Sequence, residues 1–465
     1  MQSTPSSASD APVRAIEDLE QIFREAEKPR ERFRIGAEAE KFGVDAASLR
    51  PIPYSGERSI LSVFDRFQER HGWLPIREAD KGPIIALERG LASITLEPGA
   101  QFELSGAPWP DVHGINDEFI QHFTELGAIS RELGLRWWSI GFHPTAAQAE
   151  LPWVPKERYA VMKEYLPTRG RRGRDMMQRT ATVQANFDYE SEDDAMQKLL
   201  VVLKLSPVFQ AMCANSPFIE GRVSPLRSER LDVWLNMDPQ RSGLIERVWN
   251  VERPRYRDYV EWALDAGMFF VKRGPRLLMN TGQTFRSFLE HGFEGQRATS
   301  GDWFRHLATL FPDARLKSTL EVRTCDALPN DLTMAVPALF TGLLYDAKAL
   351  EEAEELAREV TLAAALQSRA EVPRLGLGGR FGERPLRAVA ERLLDIASGG
   401  LGRRARLNAR GEDETIYLRP LAELVTSGRT PADALRGKRE PGSAIDTGVL
   451  ARVQVAEAGP SGAAA

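Results

Sequence analysis

Glu38 and Glu40 in FRIGAEAEK (33–41), Glu97 and Glu103 in ITLEPGAQFEL (94–104), and Glu321 with Arg323 in LEVRTCD (320–326) share one pattern. Each segment reads as a strand, and side chains alternate between the two faces of a strand. Phe33, Ile35, Ala37 and Ala39 fall on one side; Arg34, Gly36, Glu38 and Glu40 fall on the other. In the same way, Leu320 and Val322 oppose Glu321 and Arg323. A polar strand face ordinarily just meets solvent. Here the polar residues are nearly all carboxylates beside small or amide residues. If five carboxylates converge, each close pair repels by about 1 kcal/mol in water and about 4 kcal/mol at a semi-buried effective dielectric. Such a set needs cations. Hard oxygen donors without thiolates select Mg²⁺ or Mn²⁺, and Mg²⁺ usually arrives with phosphates.

Phosphate signatures are sparse. There is no GxxxxGK[ST], and LGLGG at 375–379 follows no strand and reads as a turn. The basic run PTRGRRGR (167–174) is either a solvated loop or a clamp for a triphosphate. Arg169 and Arg171 from that run, with Lys317, make up the nucleotide-binding set. In RTATVQANFD (179–188), Gln184 and Asn186 share a strand face and exchange hydrogen bonds without adding charge, which suits substrate binding among carboxylates. LNMDPQRSG (235–243) offers Asp238 and Arg241 at a turn, and Arg241 could pair with a substrate carboxylate. The six histidines show no HxxxH or HxH spacing, so a zinc enzyme or a histidine triad has little support. Cys213 and Cys325 are too few for a disulfide scaffold and read as separate buried thiols, with no thiol switch expected.

The elements that must carry these residues read as α+β. Strands are expected at 33–41, 83–88, 92–97, 101–105, 135–142, 179–188, 231–237, 268–273 and 317–324, with a hairpin turning at Arg89–Gly90. Helical periodicity covers 15–28, 59–71, 111–133, 156–164, 191–212, 255–266, 300–310 and 332–368. Hairpins and helices of irregular length favour an antiparallel sheet over a doubly wound one. The expected organisation is a disordered start (1–14), a catalytic core (15–350), a mostly helical buttress of the same domain (351–450) and a disordered tail (451–465). With 465 residues, 42% hydrophobic content and a net charge of −5, the chain is long enough for one large or two medium domains and lacks the basic balance of a nucleic-acid protein. No signal peptide or membrane span is legible. A cytoplasmic monomer or homodimer with no nucleic-acid or membrane partner is expected.

The strings SITLEPGAQFELSGAP (93–108), RDMMQRTATVQANFD (174–188), ANSPFIEGR (214–222), TGQTFRSFL (281–289), LFPDARLKSTLEVRTCDALP (310–329) and GEDET (411–415) resemble the plant and proteobacterial type of glutamate–cysteine ligase, collinearly from about 31 to 435. The resemblance implies a glutamine-synthetase-like fold, with a curved, mainly antiparallel sheet forming an active-site funnel. It implies ATP-dependent joining of L-glutamate to L-cysteine, with ATP and Mg²⁺ (or Mn²⁺) as cofactors. By position it casts Glu38, Glu40, Glu97, Glu103 and Glu321 as metal ligands, Arg323 beside the transferring phosphate, and Arg241 on the glutamate α-carboxylate. Gln184 stands where more distant relatives place a metal-binding histidine. Two other readings stay open: a ligase joining glutamate to another amine, and a non-catalytic binding protein of the same fold.

Overall fold

Alternating apolar and polar residues build the central sheet of the computed structural model, which describes residues 11–455. Its strands are β1 (Ile35–Asp45), β2 (Leu74–Arg77), β3 (Ile84–Arg89), β4 (Ala92–Leu96), β5 (Phe102–Ser105), β6 (Leu135–Trp138), β7 (Thr182–Phe187), β8 (Ala314–Leu316) and β9 (Leu320–Asp326). They pair antiparallel in the order β8-β9-β7-β1-β5-β4-β3-β2, and β6 joins the C-terminal half of β1. The sheet is open. The mixed α+β architecture with an antiparallel sheet matches the sequence expectation.

One sheet face is apolar because Ile35, Ala37 and Ala39 of β1 align with Phe187, Ala185 and Val183 of β7. The helices that cover the sheet are α1 (Ile60–His71), α2 (Val112–Leu133), α3 (Glu192–Met212) and α5 (Ala335–Leu344), with α4 (Glu229–Leu235), α6 (Leu362–Leu375) and α7 (Leu386–Arg404) outside or beside them. Phe64 and Phe67 of α1 meet Phe102 of β5 at ring-centroid distances of 5.8 and 6.0 Å. Phe340 of α5 packs between Phe209 of α3 (4.5 Å) and Phe187 of β7 (6.3 Å). α3 starts on the Ser191 hydroxyl, with Glu192, Asp193 and Asp194 in its first turn where the helix dipole favours them. Beyond it the helix is buried nearly all round. α7 crosses α5 so closely that neither Gly342 nor Gly400 has room for a Cβ.

Three expectations changed. Residues 231–235 complete α4 and 236–237 follow it in a turn, so no strand forms there: the Ser228 hydroxyl accepts from Leu231 N, and acidic first-turn residues override the β-rich run LDVWL. The single helical pattern at 332–368 breaks into separate helices, restarted by Asp346 and Thr361 caps. Residues 11–14 and 451–455 are tied down rather than loose. Val13 N bonds Ala298 O and Val455 N bonds Trp137 O. The remainder of both ends lies outside the described residues. No described helix is long and apolar enough to cross a membrane.

Candidate active site

The polar face of the sheet gathers the glutamates through register. Glu38 lies opposite Gln184 of β7 and Ser105 of β5, and Glu40 lies opposite Glu103. One row outward, Asn186 pairs with both Gly36 and Glu321, and Glu103 pairs with Thr95, whose hydroxyl donates to its carboxylate. A one-residue slip in any strand would turn its set to the other face. Glu97 sits just after β4 in a turn whose shape is fixed by the backbone bonds Glu97 N to Gln101 O (3.0 Å) and Ala100 N to Glu97 O (2.9 Å). Gln101 holds the same turn by accepting from Gly99 N and donating to Met177 O and Thr180 O.

Arg323 shares this face with Glu321 by strand alternation, at the point where β9 carries one extra residue against β7 between Val322 and Cys325. Its Nη1 donates to Gln184 Oε1 at 2.6 Å and to the Glu321 carboxylate. Arg315 donates to both Glu321 oxygens (2.9 and 2.7 Å), and Lys317 stands 3.9 Å away. Burial works against ionising Glu321, yet Arg315, Arg323 and Lys317 hold its carboxyl below the usual range. Burial and then the Arg315 charge bring the Lys317 amine down to about 8.

Glu38 and Glu40 are in the opposite situation. Glu38 accepts from Asn186 Nδ2 (2.9 Å) and Glu40 from Thr182 N (3.0 Å). Burial, then repulsion from Glu103 and Glu321, pushes the Glu38 carboxyl up to about 7. Burial and the charges of Glu103 and Glu97 raise Glu40 as well. Buried oxygen donors in that condition suit a divalent cation. Among the described residues no group of three or more acidic, histidine or cysteine side chains is arranged to hold a metal ion. Mg²⁺ commonly takes one or two carboxylates with waters and phosphates, so paired carboxylates on an open face fit it.

Sequence reasoning missed a cationic side to this region. Lys156 is buried, and both its Nζ and the Tyr159 hydroxyl donate to Leu96 O at 2.8 Å, the carbonyl immediately before Glu97. Burial and the neighbouring Arg158 lower the Lys156 amine to about 7, against the pull of Glu97 and Glu103. The available signal was a lysine at a helix N-cap, where the dipole disfavours a cation.

Three predicted residues are engaged elsewhere. Arg169 and Arg171 are exposed, and their hydrogen bonds run to Gln240 (2.6 Å) and Asn236 (2.7 Å), not to the carboxylate face. Arg241 has no exposed surface. It donates to Asp238 (2.9 Å), Thr309 O (3.1 Å) and Gly267 O (2.7 Å), and stacks 4.2 Å from the Phe269 ring. Three of its five N–H donors are so used, and its full burial sets it apart from the carboxylate face. The two cysteines, expected apart, are both fully buried, and Cys325 is the neighbour that acts most strongly on the Cys213 thiol.

A family model described as glutamate–cysteine ligase family 2 matches residues 34–455. The chain is 38% identical over 422 residues to the chloroplastic glutamate–cysteine ligase of Medicago truncatula, covering 90% of this chain and 81% of that one. It is 39% identical to chloroplastic glutamate–cysteine ligase B of Oryza sativa subsp. japonica (90% and 83% covered) and 38% identical to the chloroplastic enzyme of Arabidopsis thaliana (90% and 78%). A solved glutamate–cysteine ligase of Francisella tularensis in complex with AMP shares the fold, with a TM-score of 0.53 at 13% identity over 90% of this chain and 87% of that one. The cytoplasmic location expected from the sequence is overturned: these curated relatives are plastid proteins.

Proposed function

The chain belongs to glutamate–cysteine ligase family 2, and from that premise we propose that it joins the γ-carboxylate of L-glutamate to the amine of L-cysteine at the expense of ATP, giving γ-glutamylcysteine, the first step of glutathione synthesis. The observation that carries the reading is the cross-strand face on which Glu38, Glu40, Glu103 and Glu321 are set by register beside Arg323.

An amide cannot form directly from a carboxylate, because oxide is not a leaving group. The glutamate γ-carboxylate therefore attacks the γ-phosphorus of ATP, releasing ADP and forming an acyl phosphate. The cysteine amine then attacks the acyl carbon, loses a proton and expels inorganic phosphate. Phosphoryl transfer is chiefly positioning and charge neutralisation. Mg²⁺ held by one or two carboxylates at a time from among Glu38, Glu40, Glu97 and Glu103 would neutralise phosphate charge. Arg323, planar and permanently charged, would stabilise charge building on the transferring group, a role that its hydrogen bond to Gln184 on the carboxylate face supports. Glu321, fixed by Arg315, keeps Arg323 in that orientation. Gln184 and Asn186 supply neutral hydrogen bonds on the same face. Lys317 is the member of the nucleotide-binding set that the geometry favours, since it stands over Glu321 while Arg169 and Arg171 turn away.

The deciding experiment is ADP release from glutamate and Mg-ATP across a panel of amines. A strong preference for cysteine is the expected result. Equal turnover with another amine would reassign the acceptor, and no ADP release with any amine would leave a binding protein.

A further inference from the structure

Ser105 lies on the carboxylate side of β5, two residues from Glu103 and directly opposite Glu38. It is 8% exposed, and its hydroxyl has no hydrogen-bond partner among the described residues. The pairing makes this unexpected. Gly106 N donates to Ala37 O at 2.9 Å, so Ala37 and Gly106 form a hydrogen-bonded pair. The next pair, Glu38 and Ser105, is then a non-hydrogen-bonded one, where Cα atoms come within about 4.5 Å and side chains are closest. A buried hydroxyl is rarely left unpaired, and a carboxylate across a narrow pair is the obvious acceptor.

The carboxylates are drawn elsewhere. Glu38 accepts from Asn186 Nδ2 (2.9 Å) and Glu40 from Thr182 N (3.0 Å), both on β7. Glu103 accepts from the Thr95 hydroxyl on β4. β7 and β4 flank the β1–β5 pair on opposite sides, so the carboxylates part over the seam between β1 and β5. Ser105 stands in that seam, and its orphaned oxygen faces the space they leave. A divalent cation resting on carboxylates over the seam would not reach this oxygen directly. A serine oxygen is one bond beyond Cβ and a glutamate oxygen three, and Mg²⁺ gives up its waters reluctantly.

We propose that Ser105 is a positioning residue of the cation site, its hydroxyl accepting a hydrogen bond from a cation-bound water over the β1–β5 seam, between Glu38 and Glu103. The proposal rests on the ligase reading for its choice of Mg²⁺ as the resident ion. The water so held keeps one side of the cation on the sheet and leaves the other side to phosphate oxygens.

The test is Mn²⁺ binding to the full chain without nucleotide, read from the electron paramagnetic resonance of free Mn²⁺, in the parent and in Ser105→Ala. Mn²⁺ takes the same oxygen donors. Ser105→Ala should weaken Mn²⁺ by about tenfold, the loss of a hydrogen bond to a charged group. In EDTA it should melt at or above the parent temperature, because it removes a buried hydroxyl that has no partner, and Mn²⁺ should raise its melting temperature by less. A hydroxyl that only supported the fold would give the reverse, a lower melting temperature in EDTA with parent Mn²⁺ affinity. The number of Mn²⁺-bound waters, counted by ¹⁷O-water broadening, should be the same in both proteins; one more in Ser105→Ala would make the serine a direct ligand and overturn the contact through water. Parent affinity in Ser105→Ala, failure of that variant to fold, or no binding of millimolar Mn²⁺ by the parent overturns the proposal outright. Weakened Mn²⁺ binding in a protein that releases no ADP with any amine would locate the failure in the reaction assigned, not in the cation site.

Discussion

Glu40 and Glu103 stand directly opposite each other on β1 and β5, two carboxylates where a sheet ordinarily sets unlike charges. Like charges so placed destabilise a sheet, and both residues are nearly buried. The fold therefore carries electrostatic cost on the face where a cation would be held.

That cost has a pH signature. The Glu38 carboxyl is raised from its ordinary 4.5 to about 7 by burial and by Glu103 and Glu321. Between these values the folded chain keeps a proton that the unfolded chain releases, so this group lowers stability as pH rises through the window. In EDTA, Glu38→Gln should be more stable than the parent at pH 7.5, by on the order of 2–3 kcal/mol, and should lose that advantage near pH 4.5. Its activity should fall by at least about a hundredfold, as when a preorganised electrostatic group is removed. Melting temperature against pH for the two proteins is the check. Parallel curves from pH 4.5 to 7.5 would show that the face carries no such strain.

Arg241 and Arg323 should separate cleanly. Arg241→Lys loses the fork that bonds Asp238, Thr309 O and Gly267 O inside a closed pocket. Breaking a buried ionic network typically costs about 3–5 kcal/mol, so this variant should melt much lower while its folded fraction keeps the parent KM for glutamate. Arg323→Lys should fold normally and lose kcat, because charge remains but planar contact with the transferring group does not. A raised glutamate KM in a fully folded Arg241→Lys protein contradicts the structural assignment.

How far the sequence could be read depends on the range of the interactions involved. The two-residue period of a strand fixes which face Glu38, Glu40, Glu321 and Arg323 share, so the carboxylate face was legible locally. The burial of Arg241 was not legible, because it comes from Thr309, Gly267 and Phe269, none adjacent in sequence. Residues 231–237 were misjudged because a cap at Ser228 outweighs β propensity.

Cys213 and Cys325 sit side by side, yet no thiol switch is expected. Both are fully buried, and hydrogen bonding to Cys325, then burial, pushes the Cys213 thiol well up. Without a thiolate neither oxidation nor exchange proceeds at a useful rate. Native protein should react with no equivalents of a thiol reagent and denatured protein with two, and activity should be equal after reduced or oxidised dithiothreitol. Rapid labelling of the native chain would show that the pair is reachable.

Lys156 offers the last test, of how Glu97 is positioned. Leu96 O accepts from both Lys156 Nζ and Tyr159 OH, and this doubly held carbonyl begins the turn that presents Glu97. Lys156→Met keeps the apolar stem and removes one donor, and Tyr159→Phe removes the other. Each should leave the turn looser and raise the Mg²⁺ concentration needed for half-maximal rate several-fold, with kcat largely recovered at saturating Mg²⁺. Lys156→Gln restores a donor without charge. If it regains the parent Mg²⁺ dependence, the hydrogen bond is what matters; if it behaves as Lys156→Met does, the charge near Glu97 and Glu103 does. A lower melting temperature with unchanged Mg²⁺ dependence in all three variants would reduce Lys156 to a packing residue.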